Sequence, residues 1–161
     1  MSTEKKALLL EITFSLIWIL VLIYAASRIC PSVPTWPMFF IGIFSSVYKG
    51  QKTIQHIILQ AVIGVLAALA FYVLEGNLTQ IMGAVGVWIP LGLILAMLLY
   101  GCVFFPKLFS MINFAYFTIA TVEIGLMAKP FPILAMLIIG GTVQFLGDTT
   151  AKYFIEKLYK K

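Results

Sequence analysis

A chain of 161 residues that is 62% hydrophobic and 11% charged, with a mean hydropathy of +1.07, carries more apolar surface than a water-soluble domain of this length can bury. Such domains average roughly a quarter charged residues, so the soluble globular class is excluded together with disordered, collagen-like, coiled-coil and disulfide-rich secreted chains, and an integral membrane protein remains. The net charge of +5 does not signal nucleic-acid binding, because the ten lysines and one arginine sit at the chain ends and between apolar runs rather than on a face interleaved with aromatic platforms.

In the absence of water each crossing must be a helix or a closed barrel, and unbroken apolar runs without period-two alternation predict helices. Six runs are read, at about 7–26, 35–48, 54–74, 81–100, 108–128 and 131–151. The first follows Lys5 and Lys6 and ends near Ala25-Ala26-Ser27, which resembles a cleavage site. Its apolar length exceeds that of a secretory signal, and it contains Glu11, so retention is expected. Pro31, Pro34 and Pro37 form a stiff, extended linker. The second run has the length of a short tilted span or of a re-entrant segment, with Trp36 and Tyr48 as interfacial anchors.

Pro106-Lys107 marks a tight hairpin before the fifth run, and Lys129-Pro130-Phe131-Pro132 another before the sixth. Small-residue pairs four apart, Gly42/Ser46, Gly64/Ala68 and Gly92/Ala96, together with Gly140-Gly141, are expected to let helices approach closely. Phe39, Gly50 and Leu59 recur as Phe114, Gly125 and Leu134, a faint sign of two three-span halves that would be inverted in the membrane.

Charge chooses between five and six crossings. With six, Lys5, Lys6, Lys49, Lys52, Lys107, Lys152, Lys157, Lys160 and Lys161 share one side, leaving Arg28 and Lys129 on the other. The excess of lysine on cytoplasmic loops then predicts six spans in the cell inner membrane with both termini cytoplasmic. The fold expected is all-α, one transmembrane domain over 1–161, a bundle of about six helices whose second is short.

Ionisable and amide side chains inside such a bundle face partners or a cavity. At 100° per residue Glu11, Ser15 and Trp18 align on the first span, and His56, Gln60 and Gly64 on the third. Asn113, Tyr116 and Glu123 align on the fifth, and Gly141, Gln144 and Asp148 on the sixth. Four polar edges buried together would form one seam through the bundle, either a solute path or interhelical hydrogen bonding. His56, the single histidine, could relay protons with Asp148 or Glu11.

Enzyme chemistry is not expected. A lone histidine rules out a His-Glu-x-x-His zinc helix and bis-histidine haem within the chain. No Gly-x-Ser-x-Gly and no phosphate-binding glycine loop occurs, and Cys30 and Cys102 fall near opposite ends of the bundle without metal-ligand spacing. No cofactor or metal is predicted.

The stretch Pro34-Thr-Trp-Pro-Met-Phe-Phe-Ile-Gly-Ile-Phe, followed by Lys49-Gly50 and a helix centred on Gly64, resembles the conserved inner-membrane proteins of the enterobacterial YcdZ type, a family of unknown function with about six spans. More distantly the chain is similar to one membrane half of fusaric-acid and aromatic-acid exporters, although it lacks their large soluble regions. The resemblance implies the fold and carries no functional residue.

The resulting expectation is a small transporter or channel for a small polar solute or ion, acting in the lipid bilayer as a homo-oligomer. Glu11 and Glu123 are placed at its mouths, and His56, Gln60, Asn113, Tyr116, Gln144 and Asp148 along its path. The alternative is a structural or regulatory membrane subunit whose polar residues are packing contacts.

Overall fold

The computed structural model describes residues 3–29, 35–48, 53–122 and 127–159, all in helices and turns. Each apolar run carries a helix: α1 (Thr3–Ile29), α2 (Trp36–Tyr48), α3 (Ile54–Met82), α4 (Trp88–Phe104), α5 (Ile112–Val122) and α6 (Pro130–Tyr159), with a 3-10 turn at Gly83–Val87.

Several boundaries differ from the sequence expectation. A break was expected within Glu75-Gly-Asn-Leu-Thr-Gln, yet α3 continues to Met82. Its polar side chains are absorbed by the helix itself: Asn77 Nδ2 donates to the Val73 carbonyl at 2.7 Å and Thr79 Oγ1 donates to the Glu75 carbonyl. The chain turns instead at Gly83, whose φ of 61° and ψ of −144° fall in a region essentially confined to glycine.

The fifth helix begins at Ile112 rather than 108. The Ser110 backbone N–H donates to Asn113 Oδ1 at 2.6 Å and Asn113 N–H returns to the Ser110 carbonyl at 2.9 Å. This reciprocal pair satisfies groups left open at a helix start. At the sixth helix the expected Lys129–Pro132 hairpin is shortened. Pro130 opens α6, where its fixed φ suits the first turn and its missing N–H costs nothing. At the other end α6 passes position 151 and reaches Tyr159.

By length and composition two stretches can cross a membrane, Ile54–Phe104, which the Gly83 turn divides, and Pro130–Lys157. Six crossings are not supported on that basis. α2 has 13 residues and α5 has 11 described residues, about 20 and 17 Å at 1.5 Å per residue, against a hydrocarbon core of about 30 Å.

At the centre, α3 packs on α5 and α6, and α2 packs on α6 and α5. α1 lies along α6 and α2, and α4 rests on α3 and the Gly83–Val87 turn. Ile41, Ala61, Leu98, Tyr116 and Leu137 are fully enclosed, and Phe71, Phe117 and Ile133 join them in one core. The outer faces of α1 and α4 are apolar and uncovered, shown by Leu16, Leu20 and Tyr24 on one and Trp88, Leu93 and Val103 on the other.

Two of the small-residue expectations divide here. A Cβ built on Gly64 would lie 2.4 Å from Tyr116 Cβ and 2.9 Å from Phe117 N, so only hydrogen fits between α3 and α5. A Cβ built on Gly92 meets nothing within 4 Å among the described residues, so no close helix approach occurs there.

Candidate functional site

Gln60 is the hub of a first polar set. Its amide is fully buried on α3, where an unsatisfied amide would cost several kcal/mol in an apolar setting. Both amide hydrogens and the carbonyl oxygen have partners. Nε2 donates to the Leu108 carbonyl at 2.9 Å and lies 3.0 Å from His56 Nε2, while Oε1 accepts from Ser110 Oγ at 3.1 Å. The Gln60 backbone carbonyl accepts from Asn113 Nδ2 at 3.3 Å.

The Leu108 carbonyl fixes the orientation of the Gln60 amide, so its second N–H points at the imidazole. This geometry suits the His56 tautomer that accepts at Nε2. His56 itself stands one turn before Gln60, in the first turn of α3, where its backbone N–H is capped by Thr53 Oγ1 at 3.2 Å. The set ties the start of α3 to the α4–α5 connection and to the start of α5.

A second set joins α1 to α6. Asp148 Oδ1 accepts from Ser15 Oγ at 2.9 Å and from Gln144 Nε2 at 2.8 Å. One turn along α1, Trp18 Nε1 donates to the Val143 carbonyl at 2.9 Å. Its indole covers Gly147, where a built Cβ would fall 2.5 Å from the ring. Ser15 and Gln144 are buried, Asp148 and Glu11 half-buried, and Glu11 lies one turn before Ser15 on the same helix.

Tyr116 separates the two sets. Fully buried, it packs its Cβ against Gly64 and its hydroxyl over Gly141, where a built Cβ would sit 2.5 Å from Oη and 2.9 Å from Ile57 Cγ2. The His56–Gln60–Ser110–Asn113 set thus spans the start of α3, the α4–α5 connection and the start of α5, and the Ser15–Gln144–Asp148 set spans α1 and α6. Beyond Tyr116 the interior is apolar, filled by Ala67, Ala68, Phe71, Ile119, Ala120 and Ile133.

The anticipated path residues are therefore only partly assembled. Gln60, Asn113 and His56 meet, Gln144 and Asp148 meet, and Tyr116 stands between them. The His56 imidazole meets the Gln60 amide, and its backbone N–H donates to Thr53 Oγ1. Glu123 and Cys30 lie outside the described residues, as do Gly50 and Gly125 of the faint repeat.

Sequence reasoning missed Ser110 and the Leu108 carbonyl, both in the α4–α5 connection. It also missed the bond from the Tyr72 hydroxyl to the Thr121 carbonyl. The Ser-x-x-Asn spacing at 110–113 was a readable capping signal. Among the described residues no group of three or more His, Cys, Asp or Glu is placed to hold a metal.

The chain matches no family model, no curated protein and no solved structure.

Proposed function

We propose that this chain is a small multi-pass transporter or channel of the cytoplasmic membrane, crossing six times with both termini inside and moving a small polar solute or ion. The observation that carries the reading is the concentration of buried Gln60, Asn113, Gln144 and Ser15 with Asp148 in the first third of α3, the start of α5 and the middle of α6. Membrane helices rarely bury such side chains away from a functional site. The apolar outer faces of α1 and α4 support lipid as their surroundings. The apolar zone beyond Tyr116 makes this arrangement a closed form.

The short α2 packs on α6 and α5, and α5 on α3 and α2, so each is backed by one of the two longest helices. A thin six-helix wall favours a homo-oligomer. The resemblance of Pro34–Phe44 to small inner-membrane proteins agrees with this setting and contributes no site residue.

A second reading is supported by the completeness of the Gln60 bonds: a structural or regulatory subunit whose amides lock helices together. Purified protein in liposomes separates the two. Flux is followed with a trapped pH dye and, for neutral solutes, by osmotic swelling. The transporter reading expects flux that Asp148→Asn changes while the helical circular dichroism signal is kept. Absence of flux, with Asp148→Asn altering only assembly, favours the subunit.

A further inference from the structure

The helices repeat at a fixed interval. α2 starts at Trp36 and α5 at Ile112, 76 residues apart, and α3 starts at Ile54 and α6 at Pro130, again 76 apart. The packing partners repeat as well, because α3 sits on α5 as α6 sits on α2, and α1 sits on α6 as α4 sits on α3.

Individual contacts follow the same interval. Gly64 meets the backbone of Phe117, with a built Cβ 2.9 Å away, and Gly140 meets Ile41, with a built Cβ 2.7 Å from its Cγ2. Gly64 and Gly140, like Ile41 and Phe117, are 76 positions apart. Ala61 and Leu137, also 76 apart, are both fully buried where α3 and α6 meet.

The two halves run in opposite directions. Along α3 and α5 the paired residues advance together, Gln60 with Asn113 and Tyr72 with Thr121, so those helices are parallel. Along α2 and α6, Met38 lies at Gly140 and Gly42 at Gln144, which is parallel again. Along α1 and α6 the pairs run oppositely, Ser15 with Asp148 and Trp18 with Val143. Only five positions separate α2 from α3, a connection that leaves successive helices antiparallel. α1-α2-α3 and α4-α5-α6 are consequently inverted copies about an axis between Ala61 and Leu137.

The side chains break this symmetry at one end. The counterparts of Gln60 and Asn113 are Met136 and Pro37, and those of Gln144 and Asp148 are Ala68 and Tyr72. α1 is held on α6 through Ser15 and Trp18. In α4, Ile94 and Leu91 occupy the positions of Trp18 and Ser15 and pack into the core with Phe71 and Tyr72.

We propose that α1 and α4 are equivalent gates at opposite ends of an inverted repeat and that they open alternately, each leaving its partner while the other stays closed. This rests on the transport reading above. Inverted halves make a second state available by exchanging the conformations of the two copies, and α1 and α4 are the outermost helix of each copy.

The test is distance measurement by electron spin resonance on full-length protein in liposomes, in a Cys30→Ser/Cys102→Ser background. One nitroxide pair at Leu16 and Thr149 reports α1 against α6, and another at Val73 and Leu93 reports α4 against α3; all four positions are exposed. Ser15→Ala with Trp18→Phe removes two interhelical hydrogen bonds of α1. It is expected to raise the long-distance population of the first pair about fivefold to tenfold, as two such membrane bonds allow, while the second pair narrows.

Ile94→Ala is expected to do the reverse, so either variant alone tests the idea if the other fails to fold. Unchanged distributions in a folded variant, or both pairs lengthening together, would overturn it. Reciprocal distances without flux in liposomes would remove the transport reading and leave the gating intact.

Discussion

Gly64→Ala tests the central packing most directly. A methyl at this position would sit 2.4 Å from Tyr116 Cβ, so reaching an ordinary separation of about 3.4 Å requires α3 and α5 to part by roughly 1 Å. Overpacking of this kind costs about 1–3 kcal/mol. The movement also stretches the 3.3 Å Asn113–Gln60 and 3.1 Å Ser110–Gln60 bonds, each worth about 0.6 kcal/mol between membrane helices. The expected loss is therefore about 2–4 kcal/mol.

The assay is unfolding in mixed detergent micelles with increasing denaturing detergent, followed by helical circular dichroism and compared with Gly92→Ala. That site is open to 4 Å, so the methyl there should be neutral or stabilising by up to about 1 kcal/mol through helix propensity. Equal stability of Gly64→Ala and Gly92→Ala would refute the close approach of α3 to α5.

Three further outcomes follow from the same geometry. Gln60→Leu removes the hub of the first polar set and strands the Leu108 carbonyl, so a loss of about 1–3 kcal/mol is expected. Amide hydrogen exchange should rise around 105–111 and not in α6. Gly83→Ala has free space around it but a φ of 61°, so the cost is backbone strain alone, about 1–3 kcal/mol, read as a lowered thermal midpoint against Gly92→Ala. Trp18→Phe loses the bond to the Val143 carbonyl and is expected to cost about 1 kcal/mol or less, with faster exchange in α1 and unchanged protection of α3.

The sequence and the structure agree best where local chemistry alone decides. Trp36-Pro37 and the end of the aromatic run at Tyr48 place α2 where it is found, and the stripe of Gln60 and Gly64 on α3 faces α5 as its periodicity implies. Agreement fails where the answer depends on register between distant helices. A 100° projection shows that Gln144 and Asp148 share an edge, but it does not show that the edge meets Ser15 while Gln60 meets Ser110.

Two missed partners, the carbonyls of Leu108 and Val143, are backbone atoms with no signature in residue type. The overrun of α3 was hidden for another reason: Asn77 and Thr79 are turn-forming residues by preference, and here they bond back to their own helix. The matches Phe39/Phe114, Gly50/Gly125 and Leu59/Leu134 lie one position short of the interval between the helix starts, and in so apolar an alphabet three matches of this kind arise by chance.

The uninterrupted length of α3 has a mechanical meaning. Its 29 residues make a rod of about 43 Å, longer than the hydrocarbon layer, with Gln60 near one tip and Glu75, Asn77 and Gln80 near the other. A displacement of the far tip is carried along this rod to the Gln60 amide. There it acts on the α4–α5 corner, so the hydrogen bonds of Gln60 are mechanically coupled to the opposite end of α3.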